Sequence, residues 1–511
     1  MLVATSLAAF TATLDNTVVA VALRDIQADL GAGVAELQGV VTAYTVALAA
    51  LLLTGGTLAD VAGRRRVFLA GLAVFAAASA ACALADTATA LIAARAVQGL
   101  GAALLLPGGL AVLAAAFPEP GPRARAVGLW AATGATALVL GPVVGGLLVA
   151  ASGWPAVFWV NLPLCAAVAA VVLLTRDLPV DTSPGQASED HRRGLDLPGQ
   201  LLGAVALAAG TYAVVLAGRD GLGRPVVLAT AIALGSTVAF IGVERRAKDP
   251  VLPLALVRSR TFLGATLGAF AASLAVFVLL VFLSLFLQLV QQRDALPAAL
   301  RLLPLTVALV VTAPLAGRWA AVRGPQQPVV LGLLLTAAGL ALTGLRLDEA
   351  MSDLELALLL ALCGLGIGLT TAPVVTASLD AVAKTRSGLA AATVNVAREL
   401  GGVVAVAGLG ALVVARLGAD LTRRLIGLGV PGQSTDTLVE ALLRGASESE
   451  VLRLSDGQVP LAALLQLRGA AEASYVLSVR LALLGAAGVV LLSAGLAGRW
   501  LQPRVDQLDD A

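Results

Sequence analysis

Long apolar stretches separated by short polar turns fill most of this chain, and they recur at the length of a membrane span. A helix needs about 20 apolar residues to cross the hydrocarbon core of a bilayer. Fourteen stretches meet this condition, at residues 2–23, 37–59, 67–86, 88–116, 126–151, 155–175, 196–217, 226–243, 261–290, 297–316, 327–345, 354–379, 387–415 and 475–498. None of them has the alternating pattern of barrel strands. We therefore predict an all-α polytopic membrane protein with 14 spans.

Composition supports a membrane location and excludes several other classes. The 511 residues are 59% hydrophobic and 13% charged, whereas soluble proteins carry about 25% charged residues. The net charge is only +2, and the basic residues fall in short loops rather than in one patch, so nucleic acid is not a predicted partner. The three cysteines lie inside apolar runs and the one histidine, His191, lies in a polar stretch. We therefore predict neither a metal site nor a cofactor.

The turn at residues 55–68 sets the expected orientation. It carries three consecutive arginines, Arg64 to Arg66, between two apolar stretches. Positively charged loops stay on the cytoplasmic side of a membrane. With this turn inside, the loops on that side hold 19 lysines and arginines, against six in the short loops opposite. We therefore expect a multi-pass protein of the bacterial inner membrane with both termini in the cytoplasm.

Two weak internal repeats suggest that the chain has two related halves. The pattern Gly-x-x-Ala-x-x-x-Gly at residues 56–63 recurs at 317–324, where alanine replaces the acid of the first copy. Similarly, Gly-x-Gly at 99–101 recurs at 364–366. The two offsets, 261 and 265 residues, nearly agree. Parallel repeats with a binding site at their interface are typical of one class of secondary transporters.

These repeats lead to a predicted division of the chain. It consists of a six-helix half (1–175), a cytoplasmic linker (176–195), two inserted helices (196–243), a cytoplasmic loop (244–260), a second six-helix half (261–499) and a cytoplasmic tail (500–511). The second half includes an external segment, 416–474. In this segment the spacing of Leu and Val at 436–444 and 459–468 predicts a short helical hairpin.

Four motifs, in order along the chain, resemble those of a known transporter family. Residues 56–65 are similar to the signature loop between helices two and three of the major facilitator superfamily. Residues 14–23, 95–101 and 141–146 resemble the first-, fourth- and fifth-helix motifs of its fourteen-span drug:proton antiporters, the multidrug and quaternary ammonium exporter type. The resemblance implies two six-helix bundles plus two additional transmembrane helices, and no enzymatic activity.

The resemblance also assigns two sets of residues. The gating loop consists of Gly56, Asp60, Gly63, Arg64 and Arg65, and the antiporter motif of Gly141, Pro142, Gly145 and Gly146. We expect Asp60 to pair with an arginine, Arg64 or one near the end of a neighbouring helix, when the cytoplasmic side is closed. The fifth-helix motif allows a kink and close helix approach. The alternative interpretations are a topology anchor for the loop and ordinary small-residue packing for the motif.

Charged residues inside the spans are the candidates for proton coupling. Asp15 lies mid-span, where a carboxylate is costly and often marks a transport pathway. A group that alternates between an apolar and a cationic environment can bind and release a proton. We expect Arg398 to pair with Asp15 across the halves in one state, and Glu399 to carry a second proton or to bind a cationic substrate. The resemblance makes Arg95 a proton-transfer or charge-tuning residue. The alternatives are a structural role for Asp15 and snorkelling of Arg95.

Other polar or aromatic residues inside the spans are candidates for the wall of a substrate cavity. They are Asn16, Tyr44, Gln98, Trp130, Asn161, Gln288 and Asn395. Interhelical hydrogen bonds or interface anchoring would explain the same residues. Arg95 and Gln98 are three residues apart and therefore share a helical face.

Together these features predict a proton-coupled exporter of amphipathic drugs or antibiotics that works by alternating access. A dedicated exporter of a lipid or a self-made antibiotic is the alternative, and a membrane-embedded transferase is a remote one. The expected partners are an amphipathic small molecule or lipid, protons and the lipid bilayer, and we expect a monomer.

Overall fold

The computed structural model is helical and covers most of the chain. It describes residues 1–32, 34–175, 196–220, 223–247, 250, 252, 256, 258–293, 295–382, 386–427 and 461–501. The whole predicted linker 176–195, the predicted helical piece 436–444 and the tail from residue 502 lie outside these residues. Within the described ranges we find no strand.

The helices follow one another through short turns. In chain order they are α1 (Leu2–Leu30), α2 (Val34–Ala62), α3 (Arg64–Ala83), α4 (Ala88–Ala116), α5 (Pro120–Ser152), α6 (Ala156–Trp159), α7 (Asn161–Leu174), α8 (Leu197–Asp220), α9 (Arg224–Glu244), α10 (Arg260–Leu285), α11 (Ala295–Arg301), α12 (Leu303–Arg323), α13 (Gln326–Arg346), α14 (Asp353–Asp380), α15 (Ser387–Val403), α16 (Gly410–Gly427) and α17 (Leu461–Trp500). Two π-helical turns extend this set: Phe286–Val290 follows α10, and Val404–Leu409 joins α15 to α16.

The number of membrane spans agrees with the sequence prediction. Thirteen helices in the described part of the chain are long and apolar enough to cross a membrane, and a bent α5 brings the number to 14. The bend of 50° lies between Leu138 and Val143. The bend includes position 142, a proline, and a proline inside a helix lacks the backbone N–H of a helical hydrogen bond.

Two predicted spans are less regular than expected. The span predicted at 155–175 is divided into α6 and α7, which meet at Val160. The span predicted at 387–415 contains the π-helical turn Val404–Leu409. Such turns insert an extra residue into the helical ladder and are frequent at functional sites.

The helices form two groups that meet along two seams. In the first group α4 packs against α2 and α3, and α1 packs against α5 and α7. In the second, α14 packs against α12 and α13, and α17 packs against α10 and α13. One seam joins α2 to α15, and the other joins α5 to α12. The domain boundaries drawn from the sequence stay predictions.

The repeated glycine pairs occupy equivalent places in the two groups. A Cβ atom added to Gly99 in α4 would lie 2.5 Å from the carbonyl oxygen of Tyr44 in α2. A Cβ atom added to Gly364 in α14 would clash with the carbonyl oxygen of Leu305 in α12. Each glycine therefore lets one helix approach the backbone of its neighbour.

The second glycine of each pair faces the next helix. A Cβ atom at Gly101 would lie 2.6 Å from the backbone nitrogen of Phe75 in α3, and one at Gly366 would lie 2.5 Å from the carbonyl oxygen of Gly332 in α13. Helices α4 and α14 are therefore each held between two neighbours by the same Gly-x-Gly spacing.

The inserted helices lie beside one seam. Helix α8 packs against α2 of the first group and against α15 and the turn Val404–Leu409 of the second. Helix α9 packs against α8, and most of its surface is exposed. The pair therefore covers the α2–α15 seam from outside.

The ends of the predicted external segment continue two membrane helices. Helix α17 has 40 residues, about 60 Å at 1.5 Å per residue, and so extends well beyond a bilayer core of about 30 Å. The described part of the predicted helical piece 459–468, residues 461–468, is helical and forms the first turns of α17, whereas the hairpin as a whole stays a prediction. Ser474 of α17 donates a hydrogen bond to Asp420 of α16.

Replacing Gly364 by valine should destabilise the protein, because the new side chain would clash with the backbone of α12. Overpacking of this kind costs about 1–3 kcal/mol. Gly485→Val is the matched control, since no atom lies within 4 Å of a Cβ at Gly485. Thermal unfolding in detergent should show a lower Tm for Gly364→Val alone. Equal Tm values for the two variants would contradict this packing.

Candidate functional site

A buried ion pair lies at the centre of the first helix group. Nη1 of Arg95 in α4 donates to Oδ2 of Asp15 in α1 at 2.5 Å. Asp15 is 1% exposed and Arg95 is fully buried. Asp15 lies 14 residues from the start of the chain, about 20 Å along α1. The pair is therefore deep inside the bundle.

Two amide side chains complete the shell around Asp15. Its Oδ1 accepts hydrogen bonds from Nε2 of Gln98 at 2.8 Å and from Nδ2 of Asn161 at 2.6 Å. The same two amides donate to Oγ of Ser79, at 2.7 and 3.2 Å. Helices α1, α3, α4 and α7 therefore meet in one hydrogen-bonded cluster, which we call the Asp15 cluster: Asp15, Ser79, Arg95, Gln98 and Asn161.

Arg95 is fixed from several sides. Its Nε donates to the carbonyl oxygen of Val40 at 3.2 Å, and its Nη1 also donates to Oε1 of Gln98 at 2.6 Å. The guanidinium lies over the Tyr44 ring, 4.3 Å from its centroid. The Tyr44 hydroxyl in turn donates to the carbonyl oxygen of Ala12 at 3.3 Å. Cation–π contact and hydrogen bonding together hold the charge against α2.

The geometry stabilises the anionic form of Asp15. Three N–H donors face the carboxylate, one of them from a cation, and bonds of this kind are stronger than those between neutral groups. Removing one partner from a buried ion pair costs about 3–5 kcal/mol, because the other charge stays buried. Loss of any one of these donors would therefore leave part of the buried carboxylate without a partner.

In this conformation Asp15 is bound by Arg95 of its own helix group. The pairing of Asp15 with Arg398, which the sequence led us to expect in one state of the cycle, stays a prediction. Arg398 instead lies near Trp130, with its guanidinium carbon 5.8 Å from the ring centroid. This contact joins α15 to α5 across the two groups. Among the described residues, Glu399 forms no ion pair within 4 Å.

Three residues predicted for a cavity wall belong to the Asp15 cluster or contact it. Gln98 and Asn161 are fully buried and bind Asp15, and Tyr44 lies beneath Arg95. They are closed off from solvent in this conformation, as the alternative of interhelical hydrogen bonds implies, and their place in a cavity wall stays a prediction. The packing of their helices brings these side chains to Asp15, and a single sequence does not reveal such contacts between helices.

The other candidates lie elsewhere in the bundle. Asn395 is buried and donates to the carbonyl oxygen of Ala391, one turn earlier in α15. Gln288 lies in the π-helical turn after α10 and donates to Oγ of Ser284 at 3.0 Å. Asn16 is half-buried on α1. The structure does not bring these three together with Trp130 into one site.

A second contact region lies at the end of the bundle that carries Arg64–Arg66, which we call the basic face. Asp60, at the end of α2, accepts hydrogen bonds from the backbone N–H groups of Gly388 and Leu389 at 2.9 and 3.0 Å. These groups belong to the first turn of α15, where the helix dipole favours a negative charge. Nε of Arg64 is 3.9 Å from Asp60 Oδ1, as the sequence suggested.

Glycines allow the same contact to be close. A Cβ atom at Gly56 would lie 2.5 Å from the carbonyl oxygen of Gly388, and a Cβ atom at Gly388 would clash with the carbonyl oxygen of Gly56. In the second repeat, a Cβ atom at Gly317 would lie 2.5 Å from the carbonyl oxygen of Ala124 in α5. Both copies of the motif therefore close a seam between the groups on the basic face.

Each seam has its own polar contact. The α2–α15 seam has the Asp60 cap on α15. At the α5–α12 side, where Ala321 replaces the acid, Arg123 of α5 forms an ion pair with Asp380 at the end of α14. The two helix groups are thus held together at the basic face in this conformation.

The remaining motif residues shape helix contacts. Gly63 has φ = 100°, a left-handed backbone that favours glycine, and it separates α2 from α3. Arg65 Nη2 donates to the carbonyl oxygen of Val172 at 2.9 Å. In α5, a Cβ atom at Gly141 would clash with Thr17, and one at Gly145 would lie 3.2 Å from Val18.

The fifth-helix motif therefore packs α5 against α1 immediately after Asp15. Gly146 differs, since no atom lies within 4 Å of a Cβ at this position, and Pro142 lies at the bend of α5.

Sequence reasoning missed Ser79. It lies in an apolar stretch of α3 with no motif around it, so the sequence carries no signal for its role. No group of three or more potential metal ligands occurs in the described part of the chain.

Comparison with known proteins agrees with this architecture. The family model of the Major Facilitator Superfamily matches residues 5–421. The chain is 35% identical over 426 residues to the multidrug resistance protein Stp of Mycobacterium tuberculosis, covering 83% of this chain and 77% of Stp. It is 33% identical over 506 residues to the drug efflux pump JefA of the same species, covering 98% and 97%.

A solved structure supports the fold alone. The crystal structure of the human organic anion transporter MFSD10 superimposes with a TM-score of 0.57 at 15% identity, covering 97% of this chain and 98% of that one. The family match spans most of the chain and accounts for its helices. This chain therefore belongs to the Major Facilitator Superfamily, and it is a membrane transporter rather than an enzyme.

Proposed function

We propose that this protein is a proton-coupled exporter of amphipathic drugs in the bacterial inner membrane, with both termini in the cytoplasm and a monomer as the working unit. The names of its relatives, a multidrug resistance protein and a drug efflux pump, support drug export. The observation that carries proton coupling is the fully buried Asp15–Arg95 pair.

Asp15 has the chemistry that proton exchange requires. It is an acid inside a membrane span, where a charge is costly unless it is paired. Arg95, Gln98 and Asn161 stabilise its anion, so a change in their positions changes its affinity for a proton. Coupling follows if substrate binding and proton binding favour different arrangements of this cluster.

Alternating access uses the contacts at the basic face. We place this face in the cytoplasm, because its loops carry most of the lysines and arginines. The Asp60 cap and the Arg123–Asp380 pair then hold the cytoplasmic side closed, and export requires both to open. Proton entry drives the cycle, and each charge that crosses is worth about 2.3 kcal/mol per 100 mV.

The contact between the helix groups suggests where a substrate binds. Trp130 is 4% exposed in this conformation and lies beside Arg398, and Arg398 and Glu399 are half-buried charged residues of α15. Separation of the two helix groups would uncover the Trp130 ring. A surface of this kind suits an amphipathic molecule with a flat apolar part. A panel of dyes, quaternary ammonium compounds and lipids in reconstituted vesicles separates broad drug export from dedicated lipid export.

Asp15→Asn should abolish ethidium transport driven by a pH gradient in proteoliposomes, because an amide cannot bind and release a proton during the transport cycle. Asp25→Asn is the matched control: Asp25 lies on the same helix but is exposed. Fluorescence of encapsulated DNA with ethidium reports the flux. Asp15→Asn with the wild-type response to the pH gradient would contradict the proposed role.

Asp60→Ala should favour opening of the basic face, because the first turn of α15 loses its acceptor. A hydrogen bond to a charged group contributes about 1.5–3 kcal/mol, so the open state should be populated roughly tenfold or more above the parent level. A Val396→Cys substitution, at a buried position of α15, reports opening through the rate at which a maleimide alkylates the new thiol.

The control for this experiment is Glu119→Ala, which removes an exposed acid at another helix start on the same face. Alkylation should accelerate with Asp60→Ala and stay at the parent rate with Glu119→Ala. An unchanged rate in Asp60→Ala would show that the cap does not hold the seam closed.

A further inference from the structure

The side chain of Asn161 contacts the proposed proton site from a helix that carries no charge there. Asn161 begins α7, is fully buried, and donates through Nδ2 to both Asp15 and Ser79. Its Oδ1 has no hydrogen-bond partner among the described residues. The amide is therefore held in place through its nitrogen.

Ser79 connects this amide to a second one. Its hydroxyl oxygen accepts from Nδ2 of Asn161 and from Nε2 of Gln98. Each amide nitrogen has two hydrogens, and each uses them on the same two acceptors, Ser79 Oγ and Asp15 Oδ1. The hydroxyl thus fixes both amides with their donors facing the carboxylate.

The other titratable groups around Asp15 do not bond to it, apart from Arg95. Tyr44 of α2 donates to a backbone carbonyl, and Cys82 of α3 lies 3.7 Å from Gln98 Oε1. Cys165 of α7 lies within electrostatic range of Asp15.

More distant elements add little charge to the site. Helix α6 and residues 127–152 of α5 contain no acidic, basic, cysteine or tyrosine side chain. From the second helix group, Glu399 lies within electrostatic range of Tyr44. Among the described residues, the groups that contact the Asp15 carboxylate directly are therefore Arg95 and the two amides.

We infer that Asn161, oriented by Ser79, is a positioning residue that sets the pH at which Asp15 releases its proton. This inference rests on the proposed proton coupling and deepens it. A neutral donor on a carboxylate oxygen favours the anion, and one such bond changes proton affinity by about ten- to hundredfold. Because this donor comes from α7, a movement of α7 relative to α1 changes the proton affinity of Asp15.

The first measurement does not require transport. The infrared band of the protonated Asp15 carboxyl, identified as the difference between wild type and Asp15→Asn, is followed from acid to alkaline pH in lipid. In Asn161→Leu the band should persist to a pH higher by about one or more. Asn161→Gln, which keeps the amide, should shift less, and Ser79→Ala should shift in the same direction.

The matched controls are buried polar residues whose hydroxyls bond to their own helix. Thr343→Val and Ser493→Ala remove hydroxyls that donate to the carbonyl oxygens of Gly339 and Val489. Neither should move the band. An unchanged band in Asn161→Leu, or in Ser79→Ala if Asn161→Leu fails to fold, overturns the inference.

The second measurement is the dependence of ethidium flux on internal pH. Asn161→Leu should move the rise of kcat with pH upward by about one, with KM for ethidium unchanged. A change in KM with an unmoved pH profile would make Asn161 a substrate contact and overturn the inference. If the wild-type protein shows no pH-driven flux while Asn161→Leu still shifts the infrared band, the proposed function is wrong and the positioning role of Asn161 stands.

Discussion

The ion pair between Asp15 and Arg95 is the interaction on which the first helix group depends. A charge pair inside a membrane is costly unless hydrogen bonds compensate for the lost water. Most polar atoms of this pair have such partners, and Nη2 of Arg95 has none among the described residues. Here α1, α2, α3, α4 and α7 each supply an atom: the carboxylate, the Val40 carbonyl, the Ser79 hydroxyl, the guanidinium with Gln98, and the Asn161 amide. The packing of these helices and the protonation state of Asp15 are therefore linked, and one cannot change without the other.

The basic face shows how a repeated sequence acquires an unequal function. Both copies of the glycine motif bring a helix of one group against the backbone of the other, at Gly56 and at Gly317. Only the first copy keeps its acid, and Asp60 caps α15 across the seam. The second copy has Ala321, and the ion pair of Arg123 with Asp380 lies on that side. A cap on a helix start responds to movement of that helix, whereas an ion pair between flexible side chains tolerates it.

The sequence predicts the fold well and the site in part, for identifiable physical reasons. Span length, loop charge and the Gly-x-Gly repeats reflect local requirements of helices in a membrane, so they are visible along the chain. Arg95 and Gln98 share a face by their spacing, and the structure places them together. The pairing of Asp15 with Arg95 in this conformation could not be derived from the sequence, because interhelical distances depend on how five helices pack. Ser79 gives no signal, since one serine in an apolar run looks like any other. The leucine spacing at 459–468 predicts a helix there, but only the structure shows that its described part is continuous with the last span as α17.

Proton release on substrate binding tests the central claim most directly. Detergent-purified protein in weakly buffered solution, near the pH at which Asp15 is half-protonated, is mixed with ethidium while a pH indicator follows the solution. If the Asp15 cluster exchanges its proton for substrate, wild-type protein releases protons on binding, and Asp15→Asn binds ethidium without releasing any. Equal proton release from the two proteins would contradict the account, because the proton would then come from another group.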